Sequence, residues 1–184
     1  SMSINVTIVT TANRIRQFVQ TDETCIQETL QSLERSSQLF TNRALIIGSG
    51  EETEIFSPAT ITRIQFHTTR ELAPFVPQLS QTFLSLIPDG ATTPAAVLTE
   101  DRVASKIDFF FSGGDSVALW LDAPRPTGGN ERRAQLTRLF EQAVITYKLP
   151  EGGIGFMNPG AMTRARIATG VEDLPLGAWR LNSA

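Results

Sequence analysis

One cysteine, one histidine and one tyrosine stand among 184 residues, and each scarcity removes a class of explanation. With Cys25 alone no disulfide can form within the chain, which suits a reducing compartment. With His67 alone, the two or more His or Cys ligands of an ordinary metal site cannot be assembled, and no Asp-rich loop has EF-hand spacing. No metal and no cofactor are expected. Charge of one sign is also lacking: 16 Lys and Arg against 19 Asp and Glu leave a net charge of -3, with the signs interspersed. That is not the basic stripe a phosphate backbone demands, so nucleic acid is not an expected partner. No apolar run approaches the ~20 residues that span a bilayer. The opening Ser1-Met2-Ser3-Ile4 lacks the basic and apolar regions of a signal peptide, and Ser1 before Met2 reads as a cleavage scar. A cytoplasmic protein without membrane association is the expectation.

What is present is a globular composition, 41% hydrophobic and 19% charged, on a chain able to bury roughly 70% of its unfolded surface. Ile4, Val6 and Ile8 alternate with Asn5 and Thr7, the period of a half-buried strand, and Ile15 to Val19 returns it as a hairpin. Asp22 or Thr24 caps a helix that carries Ile26, Leu30, Leu33 and Phe40 on one face. Strands follow at 43–47, 54–56 and 61–66, with a Gly-Ser-Gly turn between the first two. Pro77 at a first helical position, with Leu79, Phe83 and Leu86 behind it, predicts a second helix over 77–87, ended by Pro88-Asp89-Gly90. The stretch 91–105 reads as a connection or an edge strand. Lys106 to Leu121 is a hairpin around Ser112-Gly113-Gly114-Asp115. Asn130 then caps a helix with Leu136, Leu139, Phe140, Ala143, Val144 and Tyr147 at helical spacing. Two short strands close the pattern, 154–157 and 162–167.

The order hairpin, helix, strand, strand thus occurs twice. At an offset of 101, Pro58, Thr62, Arg63, Thr68, Glu71 and Pro74 match Pro159, Thr163, Arg164, Thr169, Glu172 and Pro175. Six identities in the seventeen positions from 58 to 74 exceed the roughly one expected by chance. The hairpins match at a slightly different offset, with Ile4, Val6 and Ile8 against Ile107, Phe109 and Phe111. The expected fold is α+β: an internally duplicated hairpin-helix-strand-strand unit forming one pseudo-twofold domain, mainly antiparallel sheet with packed helices. Residues 1–184 form that single domain, with repeats at about 3–75 and 106–176 joined by 76–105. Each half is marginal alone, so the two are expected to bury their apolar sides together.

Few constellations carry chemistry. Glu51, Glu52 and Glu54 read as a solvated hairpin tip rather than a cation site. His67 as a base lacks a nucleophile-elbow partner, and Cys25 near a helix start is either a low-pKa thiol or a small core residue. Gly152-Gly153-Ile154-Gly155 precedes a strand and lacks Gly-Lys-Ser/Thr, so it reads as a turn and bulge, not a phosphate loop. The repeated dyads Thr62-Arg63 and Thr163-Arg164 are the candidate ligand site. Two arginines related by a pseudo-twofold axis would bracket an anionic small molecule through bidentate forks, or else each would pair with a glutamate of its own repeat, Glu71 or Glu172. Phe109, Phe110 and Phe111 cannot share one face of a strand. With Trp120 they form either a core covered on both sides or an interface for a partner.

Two functions fit. The first is a non-catalytic interaction or assembly module, associating with itself or with another protein through strand edges or the aromatic hairpin. The alternative is a small-molecule enzyme or ligand-binding protein using Arg63, Arg164, Glu71 and Glu172 at the junction of the halves.

Overall fold

The computed structural model describes residues 3–125, 138, 140–167 and 174–184. The first hairpin forms where alternation demands it. β1 (Ile4–Thr10) buries Ile4 and Ile8 and pairs antiparallel with β2 (Ile15–Gln20). Asp22 accepts a hydrogen bond from Cys25 N at 3.0 Å and so caps α1 (Glu23–Ser32). The helix continues as a 3₁₀ turn and lays Ile26, Leu30 and Leu33 on the sheet. β3 (Leu45–Ser49) and β4 (Glu52–Phe56) form a separate two-stranded sheet. A 3₁₀ turn over Pro58–Thr60 leads into β5 (Ile61–His67), which pairs with β1.

Next come β6 (Leu84–Leu86), β7 (Val97–Leu98), β8 (Arg102–Phe111), β9 (Ser116–Pro124), β10 (Ile145–Lys148), β11 (Gly153–Met157) and β12 (Met162–Ile167). The larger sheet runs β12-β8-β9-β6-β10-β11-β5-β1-β2, with β7 beside β8. Its pairs are antiparallel except β6 with β10. The fold is therefore mixed α and β with a mainly antiparallel sheet.

Two helical expectations fail. Over 77–87 the chain makes only a 3₁₀ turn, Pro77–Gln81, and then enters β6. Leu79, Phe83 and Leu86 have helical spacing while Leu84 and Leu86 fit period two, and pairing with Leu121 and Leu119 of β9 decides for the strand. The helix expected after Asn130 lies mostly outside the described residues. Arg138, Phe140 and Glu141 are helical, but Tyr147 belongs to a strand. The β-branched run Val144-Ile145-Thr146 suits a pleated strand better than a last helical turn. Among the described residues α1 is the one α-helix of any length. The undecided stretch 91–105 supplies β7 and the start of β8.

Several backbone bonds recur 101 residues apart. In the first hairpin turn, Thr10 N donates to Arg14 O at 3.0 Å and Asn13 N to Thr10 O at 2.9 Å. In the second, Phe111 N donates to Asp115 O at 2.9 Å and Gly114 N to Phe111 O at 3.2 Å. Thr11 N reaches Thr60 O at 2.8 Å, and Ser112 N reaches Ala161 O at 2.9 Å. The β1–β5 ladder skips Thr62, whose hydroxyl donates to Val9 O at 3.1 Å. The β8–β12 ladder skips Thr163, whose hydroxyl donates to Phe110 O, also at 3.1 Å. Each is a bulge anchored by a threonine. These bonds set Ile8 against Phe109, the same spacing as the later strands, where matching apolar residues alone had suggested a spacing two residues longer.

Two apolar clusters result. One gathers β1, α1 and β5 with Leu72 and Val76, and it takes in Ile154 and Phe156 from β11. The other gathers β8 and β9 with Ile145, Tyr147 and Met157.

Candidate functional site

A polar cluster lies where β5 meets the second hairpin turn and β10. β5 has a neighbour on each edge and is buried along most of its length, so Arg63 has to find its partner inside the protein. The second hairpin turn supplies it. Arg63 Nε donates to Asp115 Oδ2 at 2.9 Å and Nη2 to Oδ1 at 3.3 Å, with side chains only 17% and 10% exposed. The Thr62 hydroxyl reaches the same carboxylate at 3.1 Å. Burial works against the guanidinium charge, but Asp115 and the nearby Tyr147 outweigh it and the Arg63 pKa moves up.

On the same strand Gln65 Nε2 donates to the Tyr147 hydroxyl at 2.9 Å. Tyr147 is fully buried, and burial is the main cause of a pKa pushed up to about 12. Its ring lies against Gly155, where a Cβ would sit 2.1 Å from Cζ, so only glycine fits there. Gly153 has φ +116°, and a Cβ there would meet Phe66 O at 2.0 Å. The glycine-rich run thus brings β11 against β5 and β10; the expected turn falls at Gly152, and the strand expected from Ile154 begins at Gly153. Asn158 completes the seam: its Nδ2 donates to Ile61 O at 2.9 Å, and its Oδ1 accepts from Gly160 N at 3.0 Å.

The two arginines have different surroundings. Arg164 is exposed and lies over the Phe110 ring with Cζ 3.8 Å from its centroid; Arg166 lies over the same ring at 5.5 Å. Arg63 does not take the Glu71 partner suggested from sequence. Arg63 takes Asp115, Glu71 accepts from Ala73 N, and Glu172 lies outside the described residues. Phe109 and Phe111 are buried in the second core, Phe110 points the other way under the arginines, and Trp120 is half-buried beside Ser85 of β6.

Other candidates carry little chemistry. The Cys25 thiol pKa moves up, first through its interaction with Asp22 and then through burial, opposite to an activated thiolate. Burial lowers the His67 pKa. Glu54 is held by Arg16 at 2.8 Å, and no cluster of three metal-ligating side chains exists among the described residues. No helix there is long and apolar enough to cross a membrane.

A cleft of about 860 Å³ opens between β2 and β3, and no local pattern pointed to it. Phe18, Val19, Leu45 and Ile47 line its sides, with Ile8 and Ile64 also on its wall. Only the topology brings these residues together.

Compared with known protein families, curated proteins and solved structures, the chain matches none.

Proposed function

We propose that the protein is a non-catalytic assembly module, built from a duplicated unit and associating with further copies of itself through its sheet edges. The observation that carries this reading is that the two halves are joined in one direction only. β5 of the first half pairs with β11 of the second. Their counterparts 101 residues away, β12 and β4, do not pair with each other; β12 has β8 alone and β4 has β3 alone among the described residues. A twofold relation would have used both pairs, so a head-to-tail step fits better than the pseudo-twofold expected from sequence.

Three correspondences support the duplication. The hairpin turns repeat their bonds, the threonine bulges repeat theirs, and Pro58–Thr60 and Pro159–Ala161 are both 3₁₀ turns entering a strand. A fourth involves a difference. In the second half β6 fills the space between β9 and β10, whereas in the first half the corresponding space between β2 and β3 is the cleft.

A module of this kind needs the polar junction only as a joint, and the Arg63–Asp115 fork serves that purpose. The alternative of a small-molecule site on Arg63, Arg164, Glu71 and Glu172 carries less weight, because Asp115 already occupies the Arg63 guanidinium. Light scattering after size exclusion, over a wide concentration range, tests the proposal. A mass of two or more chains that rises with concentration is expected; a strict monomer at the highest concentration overturns it.

A further inference from the structure

We infer that copies join by laying β12 of one chain on β4 of the next, in the register that β5 and β11 use inside the chain. This rests on the assembly reading above and specifies its contact.

The internal joint is the template. There Ile64 faces Phe156, Phe66 faces Ile154, Arg63 faces Met157 and Gln65 faces Gly155. β11 divides its side chains between two cores. Ile154 and Phe156 enter the core of the first half, while Met157 stays with its own. The counterparts on β4 divide in the same way up to the point where a neighbour is missing. Phe56 stays with its own core and meets Phe18 edge-on, as Met157 does in its half. Ile55, the counterpart of Phe156, is 71% exposed, whereas Phe156 is 0% exposed. A strand that sends one face into a neighbour's core is present twice, and only one copy has its neighbour.

The opposite edge is equally prepared. β12 carries Ala165 and Ile167, already packed on the rim of the second core, as Ile64 and Phe66 are part of the first. Transferring the register sets Ile55 of one copy against Ala165 of the next, Thr53 against Ile167, Glu54 against Arg166 and Phe56 against Arg164. Of the charges at these edges, Glu51 and Glu52 on β4 and its turn and Arg164 on β12 are opposite in sign, while Glu54 is already held by Arg16 and Arg166 by Asp108 within the chain. Because donor and acceptor edges differ, every added copy presents a fresh β12, so the contact closes a ring or extends a filament.

Directly opposed strand residues lie about 4.5–5.5 Å apart at Cα, within disulfide reach. In a Cys25→Ser background, protein carrying Ile55→Cys is mixed with protein carrying Ala165→Cys and mildly oxidised. A linked pair on a non-reducing gel is expected. Ile46→Cys, on the neighbouring strand β3 and also exposed, serves as the control and should give at least tenfold less product with Ala165→Cys. Separately, Ile55→Arg should reduce the mass to a single chain while leaving the circular dichroism spectrum unchanged. Protein that is oligomeric by light scattering but gives no excess of the 55–165 cross-link, or keeps its mass with Ile55→Arg, overturns this docking and leaves the assembly reading intact. A strict monomer overturns both.

Discussion

β4 and β11 are strands of equal length, yet β11 lies inside the large sheet and β4 in a separate two-stranded one. β11 is buried along most of its length, with β5 on one side and β10 on the other. β4 has β3 on one side, and two of its five side chains are only half-buried while the rest are exposed. The difference lies in the neighbour more than in the strand. Local sequence makes both extended, but only β11 has a partner surface that exists within the same chain.

The comparison is broken most directly by truncating the two counterparts. Phe156→Ala should cost about 3–5 kcal/mol, because a fully buried ring leaves a cavity between two cores. Ile55→Ala in the dissociated chain should change stability by no more than about 0.5 kcal/mol. Guanidinium unfolding at low protein concentration measures both, and equal losses would mean that β4 already has a neighbour.

The joint itself can be compared with the surface. Asp115→Ala leaves the Arg63 guanidinium largely buried and without its carboxylate, and should cost about 3 kcal/mol. Asp122→Ala removes a bidentate partner from Arg102 where both side chains are about half exposed and solvent screens the pair, and should cost far less than Asp115→Ala. Urea midpoints of the two variants decide the ranking.

The smallest effect is one of slope. Tyr147 ionises near 12 in the folded chain and near its ordinary value of 10 when unfolded. Its contribution is therefore complete below pH 10 and declines as the pH rises toward 12, because the unfolded chain loses its proton first. Stability measured from pH 8 to 11.5 should fall along the alkaline limb, and Tyr147→Phe should flatten the part of that fall due to Tyr147. An unchanged slope would show that the hydroxyl is not shielded at the joint.

Much of the strand layout was legible in the sequence. Ile4, Val6 and Ile8 alternate, Gly113-Gly114 permits a tight reversal, and Asp22 is a good cap, all features carried by a few neighbouring residues. β6 was not legible, since Leu79, Phe83 and Leu86 fit a helix until β9 is placed beside them. Nor was Tyr147, whose spacing from Val144 and Phe140 suits a helix although its hydroxyl meets Gln65 on a strand 82 residues away. At the candidate site, the sequence drew attention to Thr62 and Arg63 through their repetition, but it could not supply Asp115. That residue reads as an ordinary turn aspartate until the second hairpin folds against β5.

The sequence by itself determined that β1 and β8 extend, that the chain reverses at Gly113-Gly114, and that a single cysteine allows no disulfide within the chain. These follow from backbone preference and side-chain chemistry, which act over a few residues at a time. Only the tertiary structure decided that Phe156 is covered while Ile55 is bare, that Arg63 is neutralised while Arg164 faces solvent, and that β6 fills one gap while its counterpart stays open. Those outcomes depend on which surfaces meet, and local sequence does not encode what lies on the far side of a strand.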